Sequence, residues 1–179
     1  MRNTPYSGYR QMTWKNGGGT TTEIAILPSE TETGEFDWHV SMAQVASDGW
    51  FSEFPGVDRT LAILAGNGIH LSVSAAAPVR AGPASDPYSF PADAPAFARL
   101  ISGPVVDLNI MTRRNCFTHR LVRLLTYAPV TWNLNANITM FLSYPTPSAH
   151  VVPKDSAIFE NQTGLEPLEW LGRVLAAVV

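Results

Sequence analysis

Cysteine is almost absent from this 179-residue chain: Cys116 stands alone, so no internal disulfide can form and packing must supply stability. A reducing cytosol is the compartment that fits such cysteine usage, and a cytoplasmic location is expected. Charge is sparse too, with 15% charged residues and a formal net charge of -3. No basic run exceeds the pair Arg113-Arg114, so the positive stripe that nucleic acid requires is missing. No apolar run approaches the ~20 residues of a membrane-spanning helix. The opening Met1-Arg2-Asn3-Thr4-Pro5 lacks the apolar core of a secretory signal. Neither nucleic acid nor membrane is therefore expected as a partner. The four histidines, His39, His70, His119 and His150, form no His-x-His or His-x3-His pair, which removes the usual local metal motifs. No Gly-x-Ser-x-Gly elbow is present, and no His–Asp arrangement accompanies Cys116, which is expected to be a buried thiol.

What the chain does have is turn residues and short apolar runs. Its 14 prolines and 13 glycines are spread too evenly for long helices. A strand is expected over 20–27, ending at Pro28 and followed by a polar loop over 29–35. Phe36, Trp38, Val40 and Met42 alternate with Asp37, His39 and Ser41, the period of a strand with one buried face. Runs at 61–64 and 69–73 flank Ala65-Gly66-Asn67-Gly68, which predicts a hairpin because Gly and Asn accept positive φ cheaply. Over 75–95 the chain reads as loop with short strand pieces. Over 105–111, Leu108 and Ile110 share one face while Asp107, Asn109 and Met111 share the other. Residues 118–127 suit a strand, 132–142 a hairpin around Asn135-Ala136, and 157–160 and 168–171 further short strands. The tail over 172–179 fits strand or helix. Many short strands at near-regular spacing imply an all-β sandwich or barrel.

Four blocks then carry a resemblance. They are Trp14-Lys15-Asn16-Gly17-Gly18-Gly19-Thr20-x-x-Glu23-Ile24, Phe36-x-Trp38-x-x-Ser41-x-Ala43, Phe51-Ser52-x-Phe54-Pro55-Gly56-x-Asp58-Arg59 and Asp107-x-Asn109-x-Met111-Thr112-Arg113. In this order they resemble the HutD/Ves family, a bicupin group within the RmlC-like cupins. His39 departs from that family, which has arginine there. The resemblance implies an all-β bicupin: two cupin-like β-barrels of jelly-roll type fused in one compact unit, residues 1–179. The approximate halves are 1–112 and a smaller 113–179, with the N-terminal strand shared between them. It also implies a link to histidine utilisation or stress response, and a small acidic metabolite such as N-formylglutamate as ligand.

Cupins resemble one another in a metal-binding pattern of His-x-His, four residues, Glu, six residues, Gly. With Gly66 in register, Ser52, Phe54 and Arg59 take the ligand positions. The second cupin pattern, Pro-x-Gly, two residues, His, falls nearest Pro91-Ala-Asp93-Ala-Pro-Ala96 and puts alanine in the histidine position. A hydroxyl, a phenyl and a guanidinium cannot hold a divalent ion, so no metal and no cofactor is expected. Arg59 instead places a permanent cation there, and its planar fork suits a carboxylate. A salt bridge to Glu23 is the competing reading; Asp58, pointing to the opposite strand face, is a poor partner.

The glycine run invites a phosphate-loop reading, but there the lysine follows the glycines and precedes a helix, whereas here it precedes them. A glycine-rich bend with Lys15 and Asn16 as donors, or a β-bulge at a barrel corner, fits better. The expected ligand contacts are Arg59, Lys15, Asn16, Asn109, Met111, Arg113, Phe54, Glu23 and His39. Phe51 can wall the same pocket, Trp38 belongs in the core, and Arg114 reads as a solvated strand-end charge. A binding protein for a small anionic metabolite, with a regulatory role, is favoured over an enzyme. The enzymatic alternative is a cupin isomerase, hydrolase or dioxygenase using an unaligned metal or Glu23, His39 and Asp58 as acid–base groups. A protein whose partner is another protein is a third alternative, and a homodimer through sheet edges is compatible with all three.

Overall fold

A computed structural model describes residues 2–5, 9–15, 17–30, 36–126, 130–135, 138–144, 155–160, 163–168 and 172–179. These residues form strands and no helix. In chain order the strands are β1 (Arg2–Pro5), β2 (Arg10–Thr13), β3 (Gly19–Pro28), β4 (Phe36–Val45), β5 (Gly49–Trp50) and β6 (Val57–Ala65). Then follow β7 (Ile69–Val73), β8 (Val79–Ala81), β9 (Tyr88–Pro91), β10 (Ala96–Leu100), β11 (Val105–Arg113) and β12 (Arg120–Thr126). The last are β13 (Val130–Asn135), β14 (Ile138–Tyr144), β15 (Asp155–Glu160), β16 (Thr163–Leu168) and β17 (Gly172–Val178). The expected strands over 20–27, 36–42 and 105–111 form, the one expected over 118–127 is Arg120–Thr126 with residue 127 outside the described residues, and the tail is a strand.

One sheet organises the site: six strands in the order β2-β3-β4-β11-β6-β9, antiparallel throughout. Period-two alternation gives it two unlike faces. Val40, Met42, Leu108, Ile110, Ala62 and Leu64 point one way and pack with Leu121, Met140 and Val179 from the later part of the chain. Trp38, 4% exposed, lies in that same core. Leu108 and Ile110 are at most 1% exposed, and burial of each contributes on the order of 1.5–3 kcal/mol. His39, Ser41, Asp107, Asn109 and Met111 point the other way, into a cavity. Register shifts between Glu23 and Ala25, between Leu27 and Pro28 and between Val106 and Asp107 interrupt the regular pairing of this sheet. The first turns Ile24 and Ala25 both into the core and keeps Glu23 and Ile26 on the cavity side.

A four-stranded sheet, order β5-β10-β7-β8, faces the six-stranded one. Leu61, Ile63, Ile69, Leu71, Ala98 and Val105 fill the space between them. A five-stranded sheet, order β1-β15-β14-β17-β12, joins the first strand to strands from beyond residue 119, and β13 pairs with β16. The architecture is all-β and cupin-like, built as stacked open sheets rather than closed barrels.

Two expected hairpins do not form. The turn at Gly66 and Gly68 passes the chain from one sheet to the other, because β6 pairs with β11 and β9 while β7 pairs with β10 and β8. Positive φ at Gly66 (88°) and Gly68 (95°) is what the sequence signalled, but such a bend serves a sheet-to-sheet corner as well as a hairpin. Likewise β13 and β14 lie in different sheets. The glycine run 17–19 does make a hairpin turn: Trp14 N donates to Gly19 O at 2.9 Å, and β2 pairs with β3. This turn, rather than a ligand-hugging bend or a barrel-corner bulge, accounts for the glycines.

A methyl group at Gly66 would run into Pro104 O, whereas one at Gly17 (φ 70°) meets open space. Gly66→Ala is therefore expected to cost roughly 2–3 kcal/mol in denaturant unfolding and Gly17→Ala only about 1 kcal/mol. Equal losses at the two positions would contradict the account of this corner.

Candidate anion-binding cavity

Arg59 enters the cavity from β6, and its side chain is buried: the residue is 4% exposed. Its guanidinium carbon lies 5.2 Å from the ring centre of Phe51, 5.5 Å from Phe54 and 5.8 Å from Phe90. One Nη donates to Ser52 O at 3.2 Å and to Met111 Sδ at 3.3 Å. Ring faces and a carbonyl offset part of the cost of burying the charge, but no carboxylate among the described residues makes an ion pair with it. Asp58 is taken by Arg114 at 2.9 Å, and Glu23 by Arg10 at 3.6 Å and His39 at 3.3 Å. The salt-bridge reading of Arg59 is thus set aside. Burial lowers its proton affinity to about 10, against the attraction of Asp107. It is a cation at any physiological pH.

Asp107 on β11 is 1% exposed and accepts a 2.8 Å hydrogen bond from Asn109 Nδ2. Burial pushes its carboxyl up to about 7, with Arg59, the Ala43 backbone and Asn109 acting in the opposite direction. His39, 8% exposed, sits beside Phe36 with ring centres 5.4 Å apart. Burial lowers its proton affinity and the Glu23 carboxylate opposes that effect. Its Nε2 is near Glu23 Oε2 but its N–H does not point along that line, so it makes no hydrogen bond. Three buried polar atoms of the wall have no hydrogen-bond partner among the described residues: Arg59 Nε, Asn109 Oδ1 and His39 Nε2. Buried polar groups are normally paired, so these three mark the cavity as a place for a polar guest.

The cavity measures about 770 Å³, ample for one small metabolite. Of the residues expected at the site, Arg59, Lys15, Asn109, Met111, Phe54, Glu23 and His39 line it. Asn16 lies outside the described residues. Arg113 does not line the cavity: its guanidinium is bound by Asp37 at 3.1 Å and by Ser29 and the Phe36 carbonyl. Arg114 is no loose surface charge either, since it ties Asp58, Asp93 and Val57 O together. Cys116 is exposed in the turn after β11, not buried. Sequence reasoning passed over Asp107, Ser41 and Phe90. The signal for Asp107 was present: an acid on the same strand face as Asn109 and Met111.

Cupins hold metal at the positions of Ser52, Phe54, Arg59 and Ala96. The first three do converge, but around a guanidinium, and Ala96 is packed in the core. This donor set does not fit a divalent cation, because Arg59 offers only N–H donors and positive charge. Elsewhere, His119 is a staple: its ring nitrogens meet Thr60 Oγ1 at 2.8 Å and Thr112 Oγ1 at 2.7 Å, fastening the 114–119 loop to two strands.

The sequence profile of the HutD family matches residues 6–169. The chain belongs to the HutD family. Over 103 residues it is 39% identical to protein Ves of Citrobacter koseri, covering 57% of this chain and 52% of that one. Over 113 residues it is 34% identical to an uncharacterised 21.2 kDa protein of Pseudomonas putida from the hutC 3' region, covering 63% and 58%. The chain thus spans about half the length of the curated relatives it matches. HutD of Pseudomonas fluorescens SBW25, solved in a formate condition, superposes with a TM-score of 0.83 at 25% identity, covering 99% of this chain and 96% of that one. In this HutD-family chain, every described residue lining the cavity comes from before residue 112.

Asp107 gives a direct test. A carboxyl whose folded-state value lies above its unfolded value near 3.8 stabilises fully only below that value, and the contribution is lost as pH rises through 7. Asp107→Asn is expected to raise stability at pH 8 by up to roughly 4 kcal/mol, with the gain vanishing toward pH 4. A chemical-denaturation series across that range checks it. A gain independent of pH would show that Asp107 is not a raised, buried acid.

Proposed function

We propose that the cavity binds a small carboxylate metabolite, with Arg59 clamping the carboxylate, and that binding serves a regulatory role in histidine utilisation. The observation that carries this reading is the buried Arg59 guanidinium: enclosed by three rings, free of any ion pair among the described residues, and facing a cavity with unpaired polar atoms. A carboxylate entering there exchanges water for a fork of donors in a site of low polarity, where such bonds are strongest. Asn109 and His39 stand ready to pair with further polar groups of the ligand, and Met111 and Phe54 supply adaptable walls. Lys15, exposed at the rim, adds a positive charge to the approach. The link to histidine utilisation rests on family membership and on the Pseudomonas putida relative from the hutC 3' region. N-formylglutamate suits both the pathway and the site, since it has one carboxylate for Arg59, a second for the exposed cations Arg10 and Lys15 at the rim, and an amide for Asn109.

Calorimetry of N-formylglutamate, formate and urocanate against the wild type and Arg59→Ala tests the clamp. N-formylglutamate is expected to bind the wild type most tightly, and the variant roughly 30-fold or more weakly, as when one partner of a buried charge pair is removed. Equal binding to both proteins, or to neither, would overturn the proposal.

An enzymatic reading has one observation in its favour, the Glu23–His39 pair inside the cavity. Asp58, the third acid–base candidate, is bound to Arg114 on the opposite face of β6 from Arg59. Conversion of any bound carboxylate by the wild type and not by His39→Gln would favour catalysis over binding alone.

A further inference from the structure

Among the described residues, the cavity contains one buried cation, Arg59, and one buried acid, Asp107, that are not paired with each other. Arg59 comes from β6 and Asp107 from the adjoining β11, where the register shift between Val106 and Asp107 lies. Asp107 accepts hydrogen bonds from Asn109 Nδ2 and from the Ala43 backbone, and has no ion pair among the described residues. Among the described residues, the other charged or titratable groups around the cavity are Glu23 on β3, His39 on β4, Arg10 on β2, Lys15 after β2 and Asp48 before β5. Glu23 lies 3.6 Å from Arg10 and 3.3 Å from His39 Nε2, and Asp48 accepts a hydrogen bond from Leu100 N at 2.7 Å. Arg10 and Lys15 are exposed, where water screens them. Deep in the cavity the charge balance therefore reduces to Arg59 against whatever acid lies near it.

We infer that Asp107 is an internal competitor for Arg59, so that docking of a ligand carboxylate on Arg59 is accompanied by uptake of one proton on Asp107. This rests on the anion-binding reading of the same cavity. The physical reason is that one guanidinium in a site of low polarity stabilises one negative charge, not two. With the site free, the Asp107 carboxylate draws on Arg59 at long range. When a ligand carboxylate docks on Arg59, repulsion makes the ionised form of Asp107 unfavourable. A proton from solvent then adds to a carboxylate oxygen of Asp107, and the neutral acid can donate a hydrogen bond to the guest. Asp107 is a positioning and specificity residue here: it makes affinity for anions depend on pH and disfavours a second negative charge beside Arg59.

His39 has the same sign, since a protonated imidazole also favours an anion. Its window lies below 6.5, because burial lowers its proton affinity from that value. Arg59 stays charged until about 10. The interval from pH 7.5 to 9 therefore isolates Asp107, whose carboxyl lies at about 7.

The test is calorimetric titration of N-formyl-L-glutamate into the full chain across that interval, repeated in buffers of different ionisation enthalpy. The expected result is uptake of about one proton per ligand and an affinity falling about tenfold per pH unit. Asp107→Asn, which keeps the acceptor for Asn109, is expected to abolish the uptake and flatten the profile. The ligand-induced upward shift of the Asp107 carboxyl titration, followed by carbon NMR in the wild type, gives the same answer without a variant. Binding without proton uptake, or uptake that persists in Asp107→Asn, overturns this inference and leaves the anion site standing. Absence of binding at every pH overturns both.

Discussion

An unpaired guanidinium buried behind aromatic rings is the constraint around which the site is arranged. Removing a charge from water costs several kcal/mol even after relaxation, and the structure offsets only part of that at Arg59. Three ring faces each contribute on the order of 0.5–2 kcal/mol, and a carbonyl and a thioether accept from one Nη. Nε has no partner. A fold seeking stability alone would have placed a carboxylate beside it, and β11 carries one, Asp107, held back from contact. That arrangement leaves the donor fork available to something else.

The six-stranded sheet makes such an arrangement affordable through its two faces. Leu108, Ile110, Val40 and Met42 anchor one face in a core shared with Leu121, Met140 and Val179. The residues between them in sequence are thereby fixed in position on the cavity side, on strands rather than on mobile loops. Two register shifts lie beside Glu23 and Asp107, two of the acids of the wall. Bulges of this kind re-aim side chains where a regular ladder could not. The 114–119 loop, tied down by Arg114 and His119, seals the opposite side of β6 and β11.

Much of the site was legible in the sequence because strand alternation is a strict two-residue rule. Asn109 and Met111 on one face and Leu108 and Ile110 on the other follow from it directly, and so does Arg59 opposite Asp58. The replaced ligand positions Ser52, Phe54 and Arg59 also foretold a convergence that the structure contains. What the sequence did not disclose is pairing across the chain. Gly66 and Gly68 announce a bend, but whether that bend closes a hairpin or a corner depends on which strands occupy both edges of β6. Arg113 continues the cavity-facing alternation yet is drawn aside by Asp37, more than seventy positions earlier in the chain. Asp107 was visible as a letter and not as a buried acid, since its environment is set by β4 and β6.

The central claim is most directly tested by a crystal structure of the protein grown with N-formylglutamate. The account predicts a ligand carboxylate within hydrogen-bond distance of Arg59 Nε and Nη, enclosed by Phe51, Phe54 and Phe90. A guanidinium turned out to bulk water, or a ligand seated away from it, would contradict the account.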